Sequence, residues 1–225
     1  MTTLTTAPLA PLLDRLFAEA AATSPATAPS TTDYWNGLSA EERTRLLRSK
    51  TDYVELYGRM KDIPLAVSRE TATLLYMLAR ADGVRSIVEF GTSFGISTLH
   101  LAAGLRDSGG GRVITTEFEP SKAARARNNL TAASLIDLVE IREGDALQTL
   151  SVNLPTTIDL VLLDGAKALY PDILSLLESR LRPGALIVAD NADFSPAYLE
   201  RVRSPAAGYL STPFAEDVEL SMRIN

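Results

Sequence analysis

Oxygen-bearing side chains close two apolar runs in the second half of the sequence. Asp164 ends "IDLVLLD", and Asp190 and Asn191 end "ALIVADN". If the two runs are neighbouring strands, which lie about 4.8 Å apart, the three side chains converge on one point. Two carboxylates and an amide suit a hard cation, so we predict a site for Mg²⁺, with Mn²⁺ and Ca²⁺ as alternatives. Asp and Asn also begin many ordinary loops, which is the competing interpretation of either run alone.

A second candidate site lies in "SIVEFGTSFGISTLHLA", residues 86–102, where an apolar run with an acid is followed by two glycines. Gly91 and Gly95 allow a sharp turn and a close ligand, while Ser97 and the free amides of the next helix offer donors to a carboxylate or phosphate. The spacing lacks the Gly-x-Gly-x-x-Gly of a pyrophosphate-binding loop, which disfavours a dinucleotide. A turn that needs glycines only for steric reasons is the alternative.

Polar groups also lie at the ends of the two runs that follow. Glu117, near the end of "RVITTEF", is positioned to accept two hydrogen bonds from a ribose diol. Gly144 and Asp145 follow "VEIRE", where a carboxylate or backbone group could meet an adenine edge. These features indicate a ligand with a nucleoside at one end and no pyrophosphate. A solvated surface acid is the alternative for Glu117.

These groups need a framework that gathers strand ends, and the pattern from residue 86 onward provides one. Short apolar runs alternate with helical stretches, which predicts an α/β fold with a doubly wound, mostly parallel sheet that binds ligands beyond the carboxyl ends of its strands. Pro183-Gly184 is expected to turn the chain into the last parallel strand, and the alternating "VELSMRI" predicts an antiparallel C-terminal strand partnered by "GYLST". The predicted parallel strands are "SIVEFG", "RVITTEF", "VEIREG", "IDLVLLD" and "ALIVAD", with helices at about 96–106, 121–134, 145–150 and 171–180.

The first 60 residues are predicted to form a helical, partly flexible extension, followed by the main domain over residues 61–225. Residues 1–32 are rich in Thr, Ala and Pro, although "LLDRLFAEAAA" can form a short helix. Ser39 and Glu42 make a capping box that opens a helix running toward Tyr57, and another helix is expected over 68–81. The extension could cover a substrate pocket, mediate a homodimer or do neither.

Composition limits the possible functions. The chain has 225 residues, 46% of them hydrophobic, which suffices for one sizeable core. A net charge of −6 opposes capture by nucleic acid or anionic lipid, and the lack of cysteine excludes disulfides and thiolate sites. Neither a signal-peptide pattern nor a membrane span of roughly 20 apolar residues is visible. We therefore predict a cytoplasmic protein that acts on a small molecule, without nucleic acid or membrane partners.

Five motifs in this order resemble the class I S-adenosylmethionine-dependent methyltransferases, specifically the cation-dependent O-methyltransferases typified by catechol and caffeoyl-CoA O-methyltransferases. They are "VEFGTSFGIS", "GRVITTEFEP", "REGDAL", "VLLDGAKALYPD" and "RPGALIVADN". The resemblance covers roughly residues 60–225 and implies a Rossmann-like fold. It implies that the methionine end of the cofactor is lined by Glu89, Gly91, Ser93, Gly95 and Ser97. Glu117 would hold the ribose, Gly144, Asp145 and Ala146 would meet the adenine, and Asp164 would contact cofactor and metal and take part in catalysis.

Lys167, three residues after Asp164 in "DGAK", stands where this family has its proposed general base. A desolvated ammonium beside a cation is expected to have a lowered pKa. The implied reaction moves the methyl group of S-adenosylmethionine to a hydroxyl of a catechol, another vicinal diol or a hydroxylated natural-product intermediate, with assistance from the metal. Gly165 and Ala166 replace bulkier side chains of catechol O-methyltransferase, so a wider pocket is expected there.

Three other interpretations remain open from the sequence. A metal-independent N- or carboxyl-methyltransferase on the same fold would use Asp164 and Asp190 as substrate hydrogen-bonders. An NAD-dependent oxidoreductase is disfavoured by the missing third glycine, and a noncatalytic binding protein has no need of Lys167. Lys122, Arg125 and Arg127 share one predicted helix, for which a solvated face is expected.

Overall fold

The computed structural model describes residues 1–215 and 217–225, without the side chain of Pro205. Within these residues seven strands form one sheet, in the order β3-β2-β1-β4-β5-β7-β6. The strands are β1 Ser86–Phe90, β2 Arg112–Glu117, β3 Val139–Glu143, β4 Ile158–Leu163, β5 Leu181–Ala189, β6 Tyr209–Phe214 and β7 Val218–Arg223. Strands β1 to β5 are parallel, and β7 runs antiparallel to both β5 and β6. The predicted α/β fold, including the antiparallel C-terminal strand, is confirmed.

The described helices agree with the predicted ones in most positions. They are α1 Leu9–Ala22, α2 Thr32–Gly37, α3 Ala40–Leu47, α4 Tyr53–Arg59, α5 Arg69–Ala79, α6 Ile96–Asp107, α7 Pro120–Ala132, α8 Ala146–Thr149, α9 Tyr170–Leu177 and α10 Pro196–Arg203. Short 3₁₀ turns lie at Thr3–Thr5, Ile136–Leu138, Lys167–Leu169, Glu178–Arg180, Ala192–Phe194 and Pro205–Ala207. None of the helices found in the described residues has the length and apolarity needed to cross a membrane.

The single helix predicted to run from Ser39 toward Tyr57 is wrong. The capping box is present, because the Ser39 hydroxyl accepts from the amide of Glu42 and a Glu42 carboxylate oxygen accepts from the amide of Ser39. The helix nevertheless ends at Leu47, and α4 begins at Tyr53 after the polar stretch "RSKTD". Within that stretch the Ser49 hydroxyl accepts hydrogen bonds from two backbone amides, a local bond that competes with helix continuation.

Pro183 and Gly184 lie inside β5 and do not precede it. The pairing with β4 shifts there: Ile158 is opposite Leu181, but Leu160 is opposite Leu186. The extra residues form a bulge, with Gly184 at φ +81°. A proline has no amide hydrogen for a sheet ladder, so a bulge is where it can be accommodated within a strand.

Helices cover both faces of the sheet, as expected for a doubly wound arrangement. Adjacent residues of β1 point into different hydrophobic clusters: Ile87 packs with α1, α5 and α6, and Val88 packs with α8, α9 and α10. Strands buried on both faces show continuous apolar runs in place of alternation. This double burial explains why β1 and β4 could be recognised in the sequence.

The N-terminal helix is an integral part of the first cluster. Leu9, Leu12 and Leu16 of α1 are buried against residues of α5 and α6, and the backbone amide of Thr3 donates to the carboxylate of Asp107 at the end of α6. The short helix predicted in this region is confirmed. It is packed more firmly than the loosely ordered arm predicted for residues 1–32, while the domain boundary near residue 60 stays a prediction.

Candidate active site

The carboxyl ends of three neighbouring strands lie at one level. Phe90 is paired with Leu163, and Leu163 with Ala189. The ladder continues for one more residue, because the amide of Asp164 donates to the carbonyl of Phe90 at 2.8 Å and the amide of Asp190 donates to the carbonyl of Leu163 at 2.9 Å. The loops that carry Gly91, Asp164 and Asp190 therefore begin side by side, as the sequence predicted.

A first cavity opens above these strand ends. Seven residues predicted to contact a nucleoside-bearing ligand line it together: Gly91, Ser93, Glu117, Gly144, Asp145, Ala146 and Asp164. Aromatic side chains complete the walls, among them Phe90, Phe118, Tyr53 and Tyr57. The cavity thus combines polar backbone and carboxylate groups with aromatic surfaces, which is the composition expected of a small-molecule site.

Glu89, Gly95 and Ser97 form the structure behind the cavity wall and are not part of its lining. The side chain of Glu89 is fully buried, and its two carboxylate oxygens accept hydrogen bonds from the hydroxyls of Ser97 and Thr98 at the start of α6. Burial raises the pKa of Glu89 to about 7, although these hydrogen bonds oppose the shift. The hydrogen bonds between Glu89 and the hydroxyls of Ser97 and Thr98 connect β1 to the start of α6.

Gly91 is required by a close approach of two loops. Its φ is +103°, and a Cβ atom there would lie 2.7 Å from the backbone carbonyl atoms of Asp164 and from the amide nitrogen of Gly165. A side chain at position 91 would therefore displace the loop that carries Asp164. Gly91 is therefore required for steric reasons and also forms part of the wall of the first cavity.

Glu117 is held rigidly in the wall of the first cavity. One carboxylate oxygen accepts from the amide of Ser93 at 2.8 Å, and the other accepts from the amide of Glu119 at 3.0 Å. Burial raises the pKa of Glu117 despite these bonds. Because each carboxylate oxygen can accept more than one hydrogen bond, Glu117 keeps acceptor capacity for a ligand.

Lys122 is a cavity residue that the sequence interpretation missed. It was assigned to a solvated helix face, but its side chain is 3% exposed and lines the first cavity beside Glu117. Burial lowers the pKa of Lys122, although the charge of Glu117 opposes the shift. Within the described part of the chain, no hydrogen bond or ion pair involves its ammonium group. Its place in the first turn of the helix after β2 was the available signal.

Thr116 supplies a second polar atom without a partner. Its side chain lines the first cavity and is buried, and its hydroxyl has no hydrogen-bond partner among the described residues. Buried polar groups are almost always hydrogen-bonded. The Thr116 hydroxyl and the Lys122 ammonium thus leave the cavity with polar groups that a ligand could satisfy.

A second cavity of about 340 Å³ lies on the other side of Asp164. Asp164, Lys167, Asp190 and Asn191 line it together, which confirms that the sequence motifs bring these four residues to one place. Asp164 and Tyr57 line both cavities. The two cavities therefore adjoin at Asp164.

Lys167 is buried beside Asp164. Its side chain is 5% exposed, and its ammonium group donates to Asp164 Oδ1 at 2.8 Å. Burial by itself would lower the pKa of Lys167, but the charges of Asp164 and other neighbours outweigh it and hold this pKa above its usual value. The protein side chains alone thus favour the charged form of Lys167, and the lowered pKa expected beside a bound cation stays a prediction.

Asp190 and Asn191 complete a set of oxygen donors. Burial and the nearby charge of Asp164 raise the pKa of Asp190 to about 8. The side-chain amide nitrogen of Asn191 donates to Asp217 at 2.7 Å, which leaves its oxygen for another partner. No cluster of three or more acidic, histidine or cysteine side chains able to hold a metal occurs in the described residues. Two crowded carboxylates with an amide oxygen nevertheless fit a hard cation.

The pocket is not widened at Gly165, contrary to expectation. A Cβ atom at Gly165 would lie 2.5 to 2.7 Å from ring atoms of Phe90. The ring of Phe90 occupies the space that a side chain at position 165 would fill. The small residue in "DGAK" therefore accommodates an aromatic ring from β1.

Comparison with known proteins agrees with this geometry. Residues 88–192 match a family model described as a methyltransferase domain. The chain is 39% identical over 127 residues to a catechol O-methyltransferase of Mycobacterium tuberculosis, and the match covers 56% of this chain and 57% of that protein. The chain thus spans little more than half the length of the curated relatives at the top of the comparison.

Solved structures of O-methyltransferases share the fold. One is the O-methyltransferase TomG of Streptomyces achromogenes in complex with SAM, with a TM-score of 0.61, 26% identity and coverage of 86% of this chain and 95% of that chain. Another is an O-methyltransferase of Bacillus cereus in complex with SAH, with a TM-score of 0.62, 26% identity and coverage of 84% of this chain and 99% of that chain. The resemblance to S-adenosylmethionine-dependent O-methyltransferases is therefore confirmed, and residues 88–192 are the part of this chain that is similar to a methyltransferase domain.

Proposed function

We propose that this protein is an S-adenosylmethionine-dependent O-methyltransferase whose acceptor is a small vicinal diol, with catechol as the simplest example. The observation that carries the proposal is the position of Asp164. This residue lies in the wall of the first cavity and also beside Lys167, Asp190 and Asn191 in the second. A methyl donor in one cavity and a hydroxyl in the other would meet next to it.

The first cavity supplies groups that fit a nucleoside sulfonium ligand. Glu117 would accept hydrogen bonds from the ribose hydroxyls, and Gly144, Asp145 and Ala146 would contact the adenine. Lys122, which lines the same cavity, would donate to a ribose or carboxylate oxygen. The partnerless hydroxyl of Thr116 supports the idea that a polar ligand belongs there. The same kind of ligand is bound in the TomG and Bacillus cereus structures.

The second cavity supplies groups that fit a cation and a diol. Asp164, Asp190 and Asn191 would hold Mg²⁺, with Mn²⁺ or Ca²⁺ as alternatives. A bound divalent cation lowers the pKa of a chelated hydroxyl and orients it. Lys167 would accept the proton of the attacking hydroxyl at Nζ, while that oxygen gains the methyl group and the donor leaves as the thioether. A cation beside Asp164 and Asp190 would offset the negative charges that raise the pKa of Lys167.

A metal-independent methyltransferase acting on nitrogen or a carboxylate is the second candidate. It is favoured by the ion pair between Lys167 and Asp164, which already gives one carboxylate oxygen a partner. In this case Asp164 and Asp190 would bind the acceptor directly. Activity that survives a chelator would distinguish it from the first candidate.

Binding of Mn²⁺, followed by electron paramagnetic resonance with S-adenosylhomocysteine present, tests the metal site without knowledge of the acceptor. We expect the wild type to bind Mn²⁺ and Asp190→Ala to lose it. Asp193→Ala is the matched control, because this exposed residue lies just beyond the site and should leave binding intact. Absence of Mn²⁺ binding in the wild type would contradict the metal site and favour the second candidate.

We also propose a cytoplasmic location, a small-molecule acceptor in place of nucleic acid or a membrane, and a homodimer. The net charge of −6 supports the exclusion of nucleic acid.

A further inference from the structure

The second cavity is larger than one aromatic ring requires. Its volume is about 340 Å³. An apolar protein cavity of about 150 Å³ is known to hold one benzene molecule. The space beside Asp164 is therefore more than twice the size that a single-ring diol such as catechol would fill.

The walls of the second cavity come largely from the N-terminal region. Residues 23–25, Trp35, Leu47, Met60 and residues 63–66 line it, together with Phe194 from the loop after β5. The surface that these residues present is mainly apolar, and with Tyr57, which also lines the cavity, it contains three aromatic rings. It is well suited to a flat hydrophobic ligand.

This wall is held in place by packing. Met60 and Ile63 are buried in a third hydrophobic cluster, against which Trp35 and Leu47 also pack. The guanidinium group of Arg43 lies 5.3 Å from the centroid of the Trp35 ring and donates to the carbonyl of Trp35 at 3.1 Å. The apolar wall is thus a defined surface, whose shape can select between acceptors.

Charge is concentrated at one end of the cavity. The charged side chains in its lining are Asp164, Lys167 and Asp190, and they lie together at the carboxyl ends of β4 and β5. An acceptor that satisfies both regions has polar oxygens at one end and an apolar body that extends over Trp35 and Phe194.

We infer that the preferred acceptor is an ortho-diphenol fused or linked to a second ring, with its two hydroxyls toward Asp164 and Asp190 and its second ring against Trp35 and Phe194. This inference rests on the proposed O-methyltransferase function and specifies its substrate class. When two substrates differ by one methylene group in an apolar pocket, their kcat/KM values differ by about ten- to 200-fold. A second ring should therefore raise kcat/KM at least tenfold over that of catechol.

The test compares methylation of 2,3-dihydroxynaphthalene and of catechol by the full-length protein with Mg²⁺ and S-adenosylmethionine. We expect a kcat/KM at least tenfold higher for the naphthalene diol, and a smaller ratio in Trp35→Ala. Val54→Ala is the control, because Val54 is exposed on α4 and outside the cavity lining, and it should keep the wild-type ratio.

Binding can be followed separately, because Trp35 is the one tryptophan of the chain. Titration of the S-adenosylhomocysteine-loaded protein with 2,3-dihydroxynaphthalene should quench its emission beyond the inner-filter effect measured on free N-acetyltryptophanamide. Methylation of catechol without preference for the larger diol would overturn the inference and leave the proposed function standing. If neither diol is methylated, both the inference and the proposed function are overturned. If the emission is not quenched, the inference alone is overturned.

Discussion

Four acids near the strand ends differ in what their oxygens contact, and that difference decides what each can do. Glu89 lies behind the cavity, with both oxygens engaged by hydroxyls of α6. Glu117 is fixed by backbone amides and faces the first cavity. Asp164 is paired with Lys167, and Asp190 is crowded by Asp164. The same residue types therefore serve packing in one place and ligand binding in another.

Glu89 should make stability depend on pH. Its pKa is about 7 in the folded protein, against 4.5 as its ordinary value. The folded state keeps a proton that the unfolded state releases, so stability is highest at low pH and falls as the pH rises from 4.5 through about 7. The free energy of unfolding can be measured with urea at pH 5 and at pH 8. From pH 5 to pH 8 it should fall by about 2 to 3 kcal/mol more in the wild type than in Glu89→Gln. An identical pH dependence of the two proteins would contradict this explanation.

Lys122 should contribute to cofactor affinity. Its ammonium group is buried beside the cavity, and a hydrogen bond from a charged group contributes about 1.5 to 3 kcal/mol. Calorimetry should therefore show that Lys122→Met weakens binding of S-adenosylhomocysteine by about ten- to 100-fold. The matched control is Arg127→Met on the same helix, because Arg127 pairs with Glu143 at the exposed surface. Equal affinities in all three proteins would show that Lys122 is only a packing residue.

The positions of strands and helices could be predicted from the sequence where the local hydrophobic pattern agrees with the burial of the residues. The continuous apolar runs of β1 and β4 predicted their positions, and these positions brought Asp164 and Gly91 to the same sheet edge. The break between α3 and α4 could not be predicted in the same way, because it depends on local side-chain hydrogen bonds to the backbone. The bulge at Pro183 could not be predicted either, because it depends on the register between β5 and β4. The burial of Lys122 depends on how α7 is rotated against the sheet, which its own residues do not specify.

The contact between α5 and α6 depends on Gly104. A Cβ atom there would lie 2.7 Å from Ala79 Cβ and 2.8 Å from the carbonyl oxygen of Tyr76. Gly104→Ala should separate the helices and lower the free energy of unfolding by about 1 to 3 kcal/mol, the usual effect of overpacking. Gly58→Ala in α4 is the control, since an added Cβ there has no neighbour within 4 Å among the described residues and should be neutral or slightly stabilising. Denaturant unfolding checks both, and an unchanged midpoint for Gly104→Ala would contradict the close contact.

The N-terminal region contributes both to the hydrophobic core and to the wall of the second cavity. Helix α1 packs in the cluster that covers one face of the sheet, and residues 23–66 supply much of the wall of the second cavity. The Thr-, Ala- and Pro-rich composition of residues 1–32 concealed the first role. The leucines of α1 find their partners on α5 and α6, far along the chain, and such contacts are not encoded in local composition.

Leu9→Ala should therefore destabilise the whole protein. Leu9 is fully buried in the first hydrophobic cluster, and truncation of a buried leucine usually costs about 2 to 5 kcal/mol. The loss should appear in the single main transition of thermal or denaturant unfolding. Leu210→Ala, at an exposed position on β6, should change stability by less than about 0.5 kcal/mol. A separate early transition that leaves the main one unchanged would mean that the N-terminal region is an independent unit.

We propose that methyl transfer to a vicinal diol takes place at the junction of the two cavities. Mass spectrometry of reactions that contain methyl-labelled S-adenosylmethionine, catechol and Mg²⁺ tests it most directly. We predict labelled O-methylcatechol from the wild type, loss of product with a chelator, and a rate lower by about 10² to 10⁴ in Lys167→Met, the usual effect of removing a general base. A folded protein that binds S-adenosylhomocysteine but transfers no label to a vicinal diol would contradict it.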